Sequence, residues 1–171
     1  MQEGINFHIN LTTDSQVFSA CATMMAASEP WITLGIDHTS CLKAFEGTGK
    51  EVYVAIDHNT IAGFAILQVC GSFKGYIQTL FVRNDMRSKG LGKKMLQFCE
   101  KKILSISPNI FICVSSFNKG ALKLYEEFGF IQVGLLPNFV RDGFDELLLR
   151  KTVGPIAGFI PRDEQADKKY L

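Results

Sequence analysis

Residues 82–95 carry the strongest chemical signal in the sequence. They include five basic residues and a single acidic one, whereas the whole chain of 171 residues has a net charge of only +1. Gly90 and Gly92 stand at the start of a predicted helix, where unpaired backbone N–H groups and the positive end of the helix dipole attract anions. This segment therefore predicts a local binding site for a ligand that carries several phosphate groups.

Two common phosphate-binding motifs do not fit this segment. A Walker A loop would have Gly where Arg87 stands and Ser or Thr where Lys94 stands. A dinucleotide-binding fingerprint would need a third Gly at the position of Met95, inside a parallel βαβ unit, whereas the preceding strands are predicted to be antiparallel. A loop with solvated lysines and no ligand is the alternative that the segment by itself leaves open.

A second pattern follows on a later predicted helix. It reads Asn-x-x-Ala-Leu-x-x-Tyr-x-x-x-Gly-Phe over residues 118–130. Asn118 and Tyr125 are seven residues apart, or about two helical turns, so they lie on the same face of the helix. With these two motifs the chain resembles the GCN5-related N-acetyltransferase (GNAT) family, whose signature Arg/Gln-x-x-Gly-x-Gly/Ala is matched in full by residues 87–92. The resemblance covers the order of elements from about residue 5 to about residue 150.

The resemblance implies a set of cofactor contacts. In the family, the strand before the Gly-containing loop binds the pantetheine arm of acetyl-CoA, the loop amides hold the pyrophosphate, and an Asn lies beside the pantetheine. Carried onto this chain, the acetyl-CoA-binding residues are Leu80, Phe81, Val82, Arg87, Ser88, Lys89, Gly90, Leu91, Gly92, Lys93 and Asn118. The implied activity is transfer of the acetyl group of acetyl-CoA to a primary amine, in a small molecule or a protein, by direct attack in a ternary complex.

Tyr125 is the candidate catalytic residue. In many family members such a tyrosine protonates the departing CoA thiolate, and a phenol with an ordinary pKa of about 10 still holds a proton to donate at neutral pH. The alternative is a packing role next to Phe128 and Phe130. The alternative function is a non-catalytic domain that binds or senses acyl-CoA. Retention of Asn118 together with Tyr125 favours catalysis, since a binding domain needs no proton donor.

The sequence does not identify the group that accepts the proton of the acceptor amine. Some family members use a Glu on the fourth strand, but residues 76–80 contain no carboxylate here. The candidates are Glu29, Asp37, His38, Asp145, Glu146 or a water molecule held by backbone carbonyls. Trp31 is interpreted as a packing residue and not as a wall of the acceptor pocket. Cys113 is interpreted as a buried structural thiol, because its neighbours are apolar and no cation is near it in sequence.

Apolar periodicity predicts the elements that position these motifs. Strands are expected at residues 5–11, 51–56, 61–70, 76–82, 110–114, 130–136 and 145–151, and helices at 15–27, 37–46, 89–104 and 118–128. Residues 57–60 are expected to form a tight hairpin turn. The order βααβββαβαββ predicts an α+β fold, with a GNAT-like, mixed and mostly antiparallel sheet flanked by helices. Residues 1–151 are assigned to one acetyltransferase domain and residues 152–171 to a C-terminal extension on its surface.

Composition limits the function classes. Hydrophobic residues make up 47% of the chain, as in a packed globular domain, and the near-neutral charge gives no global field for nucleic acid or an anionic membrane. The longest apolar stretch, residues 61–70, is too short to span a bilayer, and the first residues lack the features of a signal peptide, which predicts a cytoplasmic protein. Five Cys without a CxxC pair and three His without ligand spacing predict reduced thiols and no metal site. The oligomeric state, including a homodimer, stays open.

Overall fold

The structure, a computed structural model, describes residues 7–162. Its strands are β1 (Phe7–Thr12), β2 (Lys50–Asp57), β3 (Thr60–Gln68), β4 (Tyr76–Val82), β5 (Asn109–Ser115), β6 (Ile131–Pro137) and β7 (Asp145–Thr152). Its helices are α1 (Ser15–Ala26), α2 (Trp31–Leu34), α3 (His38–Lys43), α4 (Leu91–Leu104) and α5 (Lys119–Glu127), with a short 3-10 helix at Asn84–Met86. The strands form one sheet in the order β1-β2-β3-β4-β5-β7-β6, in which only the β4–β5 pair is parallel. The α+β fold class predicted from the sequence is confirmed.

Alternate residues of the central strands face two separate cores, one on each side of the sheet. On β2, Tyr53 and Ala55 belong to the core formed with α4 and α5, while Val52 and Val54 belong to the core formed with α1 and α3. Burial of apolar surface stabilises such contacts by about 25 cal/mol per Å². Both helical layers are therefore fixed against the same sheet, and this fixes the starts of α4 and α5 relative to the ends of β4 and β5.

The parallel strands β4 and β5 separate after a short contact. Their pairing covers only residues 76–77 of β4 and residues 111–112 of β5. A bulge at Gln78 begins where this pairing ends, because Gln78 has no partner on β3 while both of its neighbours have one. The side chain of Gln78 is held in place by a hydrogen bond of 3.0 Å that its Nε2 donates to the carbonyl of Ala44. The separation leaves a gap in the sheet next to the start of α5.

Most predicted elements begin and end within two residues of their expected positions. Residues 5 and 6 of the predicted first strand lie outside the described residues. His58 and Asn59 have φ values of 45° and 64°, the left-handed conformations of a two-residue type I′ turn, so the predicted hairpin turn is confirmed. The predicted order missed one helix, α2, which directly follows Pro30. A helix of one turn is too short to produce a recognisable apolar period.

Residues 153–162 contain no helix or strand and lie along the end of α4. The amide of Val153 donates a hydrogen bond to the carbonyl of Pro108, and the amide of Arg162 donates one to the carbonyl of Leu104, each at 3.0 Å. Residues 163–171 lie outside the described part of the chain, and the division into a domain and an extension stays a prediction. Among the described helices, none has the length and apolar character needed to cross a membrane.

Candidate active site

The Gly-containing loop begins where β4 ends and leads into α4. Gly90 is the N-cap of α4, with a φ of 84° in the left-handed region that favours glycine. Residues 87–90 form a turn, and the backbone amides of residues 88–93 donate no hydrogen bond of standard geometry within the described residues. The next amide, that of Lys94, donates to the carbonyl of Gly90 at 3.1 Å. Consecutive unpaired amides at a helix N-terminus are suited to hold a phosphate group.

The basic side chains of this loop have different roles. The guanidinium of Arg83 binds both carboxylate oxygens of Asp85, at 2.6 and 3.0 Å, and this hydrogen bonding lowers the pKa of Asp85. The Nε of Arg87 donates to the carbonyl of Val82 at 3.1 Å and so ties the loop to the end of β4. Lys93 is exposed in the wall of the adjoining cleft. Because Asp85 is neutralised by its own partner, the potential around the loop is positive.

A cleft of about 480 Å³ starts at this loop and runs along β4 to α5. We call it the cofactor cleft. Ten of the twelve site residues predicted from the sequence line it: Leu80, Phe81, Val82, Arg87, Ser88, Gly90, Gly92, Lys93, Asn118 and Tyr125. The structure does not place the other two in its wall. Leu91 is 1% exposed and belongs to the core beneath α4, while the exposed side chain of Lys89 lies outside the cleft.

A smaller pocket of about 150 Å³ meets the cofactor cleft at the gap between β4 and β5. We call it the acceptor pocket. The residues that line both cavities are Pro30, Trp31, Leu80, Asn118 and Tyr125. Much of the remaining wall is apolar and comes from α2, β5 and the β6–β7 loop. Within the described residues, Glu146 is the one charged side chain that lines this pocket.

A contact between two loops closes one side of the acceptor pocket. Arg141 lies in the β6–β7 loop, and its Nη1 donates hydrogen bonds to the carbonyls of Leu34 and Gly35, at 2.6 and 3.1 Å. Phe139 and Val140, from the same loop, contribute apolar wall. The pocket is therefore bounded by elements that are more than a hundred residues apart in sequence.

Tyr125 lies where the cofactor cleft and the acceptor pocket meet. Its side chain is 6% exposed, and its ring lies 6.1 Å from that of Phe130 between centroids. Burial, with a smaller contribution from Cys99, raises the pKa of Tyr125 well above its ordinary value. The phenol therefore keeps its proton at neutral pH and is suited to donate it to an anion that forms beside it.

Comparison with known proteins decides which family this is. The family model described as the acetyltransferase (GNAT) family matches residues 18–130. The chain belongs to the GNAT family. It is therefore an acetyl-CoA-dependent acyltransferase, and acetyl-CoA is its co-substrate. The unpaired amides and the positive loop at the start of α4 fit the phosphate groups of that molecule.

Individual GNAT relatives support this assignment. An N-alpha-acetyltransferase of Sulfolobus acidocaldarius is 26% identical over 161 residues, covering 85% of this chain and 92% of that protein. The ribosomal-protein-S18-alanine N-acetyltransferase of Escherichia coli has the same fold, with a TM-score of 0.69 at 16% identity, over 91% of this chain and 99% of that one. An aminoglycoside 6'-N-acetyltransferase in complex with coenzyme A also shares the fold, with a TM-score of 0.68 at 16% identity, over 86% and 98% of the two chains.

The candidates for the proton acceptor in this GNAT protein are spread over the structure. Glu146 lines the acceptor pocket and is 4% exposed. Glu29 lines the cofactor cleft with an exposed side chain. Asp37 is the N-cap of α3, and neither it nor His38 nor Asp145 lines either cavity. The sequence could not separate these residues, because nothing in it shows that β7 lies beside β5 and so brings Glu146 to the gap.

Two interpretations of single residues need correction. Trp31 packs as expected, with its ring 6.0 Å from that of Phe81, but it also lines both cavities. Cys113 is only partly buried and faces the acceptor pocket, so it is not a core thiol. Burial nevertheless raises the pKa of Cys113, which leaves the unreactive thiol form at neutral pH. Alternation along a strand predicts which face Cys113 occupies but not where two strands separate, and the one-turn helix that begins at Trp31 gives no recognisable apolar period. Neither residue was therefore predicted to line the pocket.

Proposed function

We propose that this protein transfers the acetyl group of acetyl-CoA directly to a primary amine while both substrates are bound. The observation that carries the proposal is the junction of the cofactor cleft and the acceptor pocket at Leu80, Asn118 and Tyr125. A thioester that enters from the cleft and an amine that enters from the pocket would meet there. The barrier to reaction falls when two reactants are held in contact in this way.

Direct attack is favoured over an acyl-enzyme because no thiol at the junction is activated. Cys113 is the one cysteine among the described residues that lines either cavity, and burial raises its pKa. We expect Cys113→Ala to keep turnover within a factor of about three, since no covalent intermediate is formed on it. The measurement is steady-state turnover together with mass spectrometry of the protein after exposure to acetyl-CoA. A chemically competent acetyl adduct on Cys113 would overturn direct transfer.

In this proposal Tyr125 is the general acid. As the carbon–sulfur bond of the thioester breaks, the sulfur gains negative charge and takes the proton of the phenol. The raised pKa of Tyr125 ensures that the proton is present at neutral pH. The second candidate function, a domain that binds or senses acyl-CoA without turnover, gives no reason for a buried phenol at the junction of two cavities.

The acceptor class that we propose is the α-amine of a peptide or protein. The acceptor pocket combines an apolar wall with one carboxylate, which suits a single ammonium group next to an apolar side chain. A polycationic acceptor such as an aminoglycoside would call for several carboxylates around it. The similarity to an N-alpha-acetyltransferase, which covers 92% of that relative, supports the same class.

The test is release of free CoA from acetyl-CoA over a panel of amines. The panel contains short peptides with different first residues, the same peptides with blocked N-termini as matched controls, polyamines and aminoglycosides. We expect thiol release with free peptides that begin with small or apolar residues and none with the blocked peptides. Acetyl-CoA binding without release for any amine would identify a binding domain instead. Release with polycationic acceptors alone would overturn the peptide class.

A further inference from the structure

Glu146 occupies an unusual position for a carboxylate. It lies on β7, pairs across the sheet with Ser115 of β5, and is 4% exposed. Glu146 lines the acceptor pocket, as Tyr125 does. A charged group with so little contact with water has a cost in folding free energy unless a partner compensates the charge.

The described residues do not provide that compensation. The hydroxyl of Ser115 donates a hydrogen bond of 2.5 Å to Oε1, and this is the one hydrogen bond that the carboxylate accepts within residues 7–162. No described Lys, Arg or His forms an ion pair with it. The titratable groups that share its pocket wall are Tyr76 of β4, Cys113 of β5 and Tyr125 of α5, none of which carries positive charge. The described residues therefore give this buried carboxylate no cationic partner.

We propose that Glu146 binds the ammonium group of the acceptor and accepts its proton, and that Ser115 positions the carboxylate for this task. The proposal rests on the proposed function, since it needs an amine substrate in the acceptor pocket. It also accounts for the absence of a carboxylate on β4. Glu146 lies on β7, which pairs with β5, so it lines the same gap from the β5 side. Burial raises the pKa of Glu146, which makes it a stronger base than an exposed glutamate.

The proton balance of the reaction is complete with these groups. The acceptor arrives as R–NH3⁺ and gives one proton to the Glu146 carboxylate, which frees the nitrogen lone pair to attack the thioester carbon. The new carbon–nitrogen bond forms, the carbon–sulfur bond breaks, and the sulfur takes the proton of Tyr125. The second proton that leaves the nitrogen restores the tyrosine, either directly or through water. Glu146 returns its proton to solvent, so one proton is released per amide formed.

The experiment compares two peptides that differ only in the basicity of the α-amine. One begins with alanine, whose α-amine in a peptide has a pKa of about 8 and is mostly protonated at an assay pH near 7. The other begins with 3,3,3-trifluoroalanine, whose fluorine atoms lower the amine pKa below the assay pH, so no base is needed to free the lone pair. Both are assayed with wild type, Glu146→Gln and Asp145→Asn. The last variant removes the neighbouring carboxylate, which lies outside both cavities, and serves as the matched control.

We expect Glu146→Gln to lose about 10²-fold or more in kcat with the alanine peptide, the lower range for a general base. With the trifluoroalanine peptide the same variant should stay within about fivefold of wild type, because this variant lacks only the base, which that peptide does not need. Asp145→Asn should stay near wild type with both peptides. Equal losses of Glu146→Gln with both peptides, or no loss with either, would overturn the role of Glu146. Failure of the wild type to acetylate either peptide would instead overturn the proposed function on which this role rests.

Ser115→Ala provides a second measurement that does not depend on the folding of Glu146→Gln. The hydroxyl bond lowers the pKa of Glu146, so its loss raises that pKa further. The acidic limb of kcat against pH should therefore move to higher pH in Ser115→Ala, while acetyl-CoA affinity measured by calorimetry stays at the wild-type value. An acidic limb at its wild-type position in the folded variant would overturn the positioning role of Ser115 and the assignment of that limb to Glu146.

Discussion

The two sides of the candidate active site are built in different ways. The cofactor side uses backbone amides and basic side chains that are contiguous in sequence, between the end of β4 and the first turn of α4. The acceptor side combines α2, the gap between β4 and β5, the start of β7 and the β6–β7 loop, and its one charged wall residue among the described residues is Glu146. Under the proposed function, the cofactor side would recognise charge through local geometry, whereas the acceptor side depends on tertiary packing for both shape and charge.

The largest effect is expected at Tyr125, where the two sides meet. Tyr125→Phe keeps the ring and its packing but removes the proton, so kcat should fall by about 10²-fold or more. Acetyl-CoA affinity and melting temperature should barely change, because the variant loses an interaction made only in the transition state. The measurements are steady-state turnover with an accepted peptide and calorimetry with acetyl-CoA.

Tyr76→Phe is the matched control for this variant. Tyr76 is a phenol in the wall of the acceptor pocket but does not line the cofactor cleft, so its variant should keep turnover within a factor of about three, as expected for a group that transfers no proton. Turnover of Tyr125→Phe within the same factor would remove Tyr125 from the mechanism and favour its packing role.

A change confined to the cofactor side is next in size. Gly90→Asp places a negative charge at the unpaired amides, and acetyl-CoA affinity should fall by about tenfold or more through repulsion of the phosphates. Gly90→Asn is nearly isosteric and shares the strain of the left-handed φ of 84°, so it controls for backbone effects. Calorimetry should show a clear difference between the two variants. Equal affinities would mean that the pyrophosphate lies elsewhere.

A change confined to the acceptor side should have a smaller effect. Arg141→Ala removes both hydrogen bonds to the carbonyls at the end of α2, so the β6–β7 loop is held less firmly. We expect the KM for the peptide to rise severalfold while acetyl-CoA affinity stays unchanged. Asp142→Ala alters an exposed neighbour in the same loop and serves as the control. An unchanged KM in Arg141→Ala would show that the loop contact does not shape the acceptor pocket.

The smallest effect concerns stability. Burial raises the pKa of Glu146 in the folded protein above the value of about 4.3 for an unfolded chain, so the folded state holds this proton more tightly. Ionisation of Glu146 therefore lowers the free energy of unfolding progressively as the pH rises from the pKa of the unfolded chain through the higher pKa of the folded protein. Glu146→Gln should melt above the wild type at pH 7 to 8 and converge with it below about pH 4. If the variant melts below the wild type at pH 8, the interpretation of Glu146 as a buried carboxylate without a compensating cation is wrong.

The same contrast explains what could be predicted from the sequence. Residues 87–92 and the pattern from Asn118 to Tyr125 are local, so their types and spacing predicted most of the residues that the structure brings together along the cofactor cleft. Strand alternation and turn residues predicted nearly every element because each depends on a short window. For Lys89 and Leu91 the prediction concerns their backbone amides and stays a prediction, while the orientation of their side chains depends on how α4 packs.

The acceptor side could not be predicted in the same way. Phe139, Val140 and Arg141 reach α2 only because β6 and β7 form the end of the sheet. Glu146 reaches the gap only because β7 lies between β5 and β6. Neither relation leaves a local signal, since the order of strands in a sheet is decided by packing over the whole chain. Glu146 was consequently one of several carboxylates that the sequence could not distinguish.

The short contact between β4 and β5 has a consequence for the order of folding. It is the one place in the described sheet where strands 1–4 join strands 5–7, and all other strand pairings stay within one of these halves. The pairings β2–β3, β3–β4 and β6–β7 join strands that are close in sequence and form fast, whereas the short parallel seam spans a longer connection and forms slowly. We expect these local pairings to form early and the union of the halves to come late. Acetyl-CoA would bind only after that union, so it should slow the separation of the halves and protect the amides along the seam from hydrogen exchange.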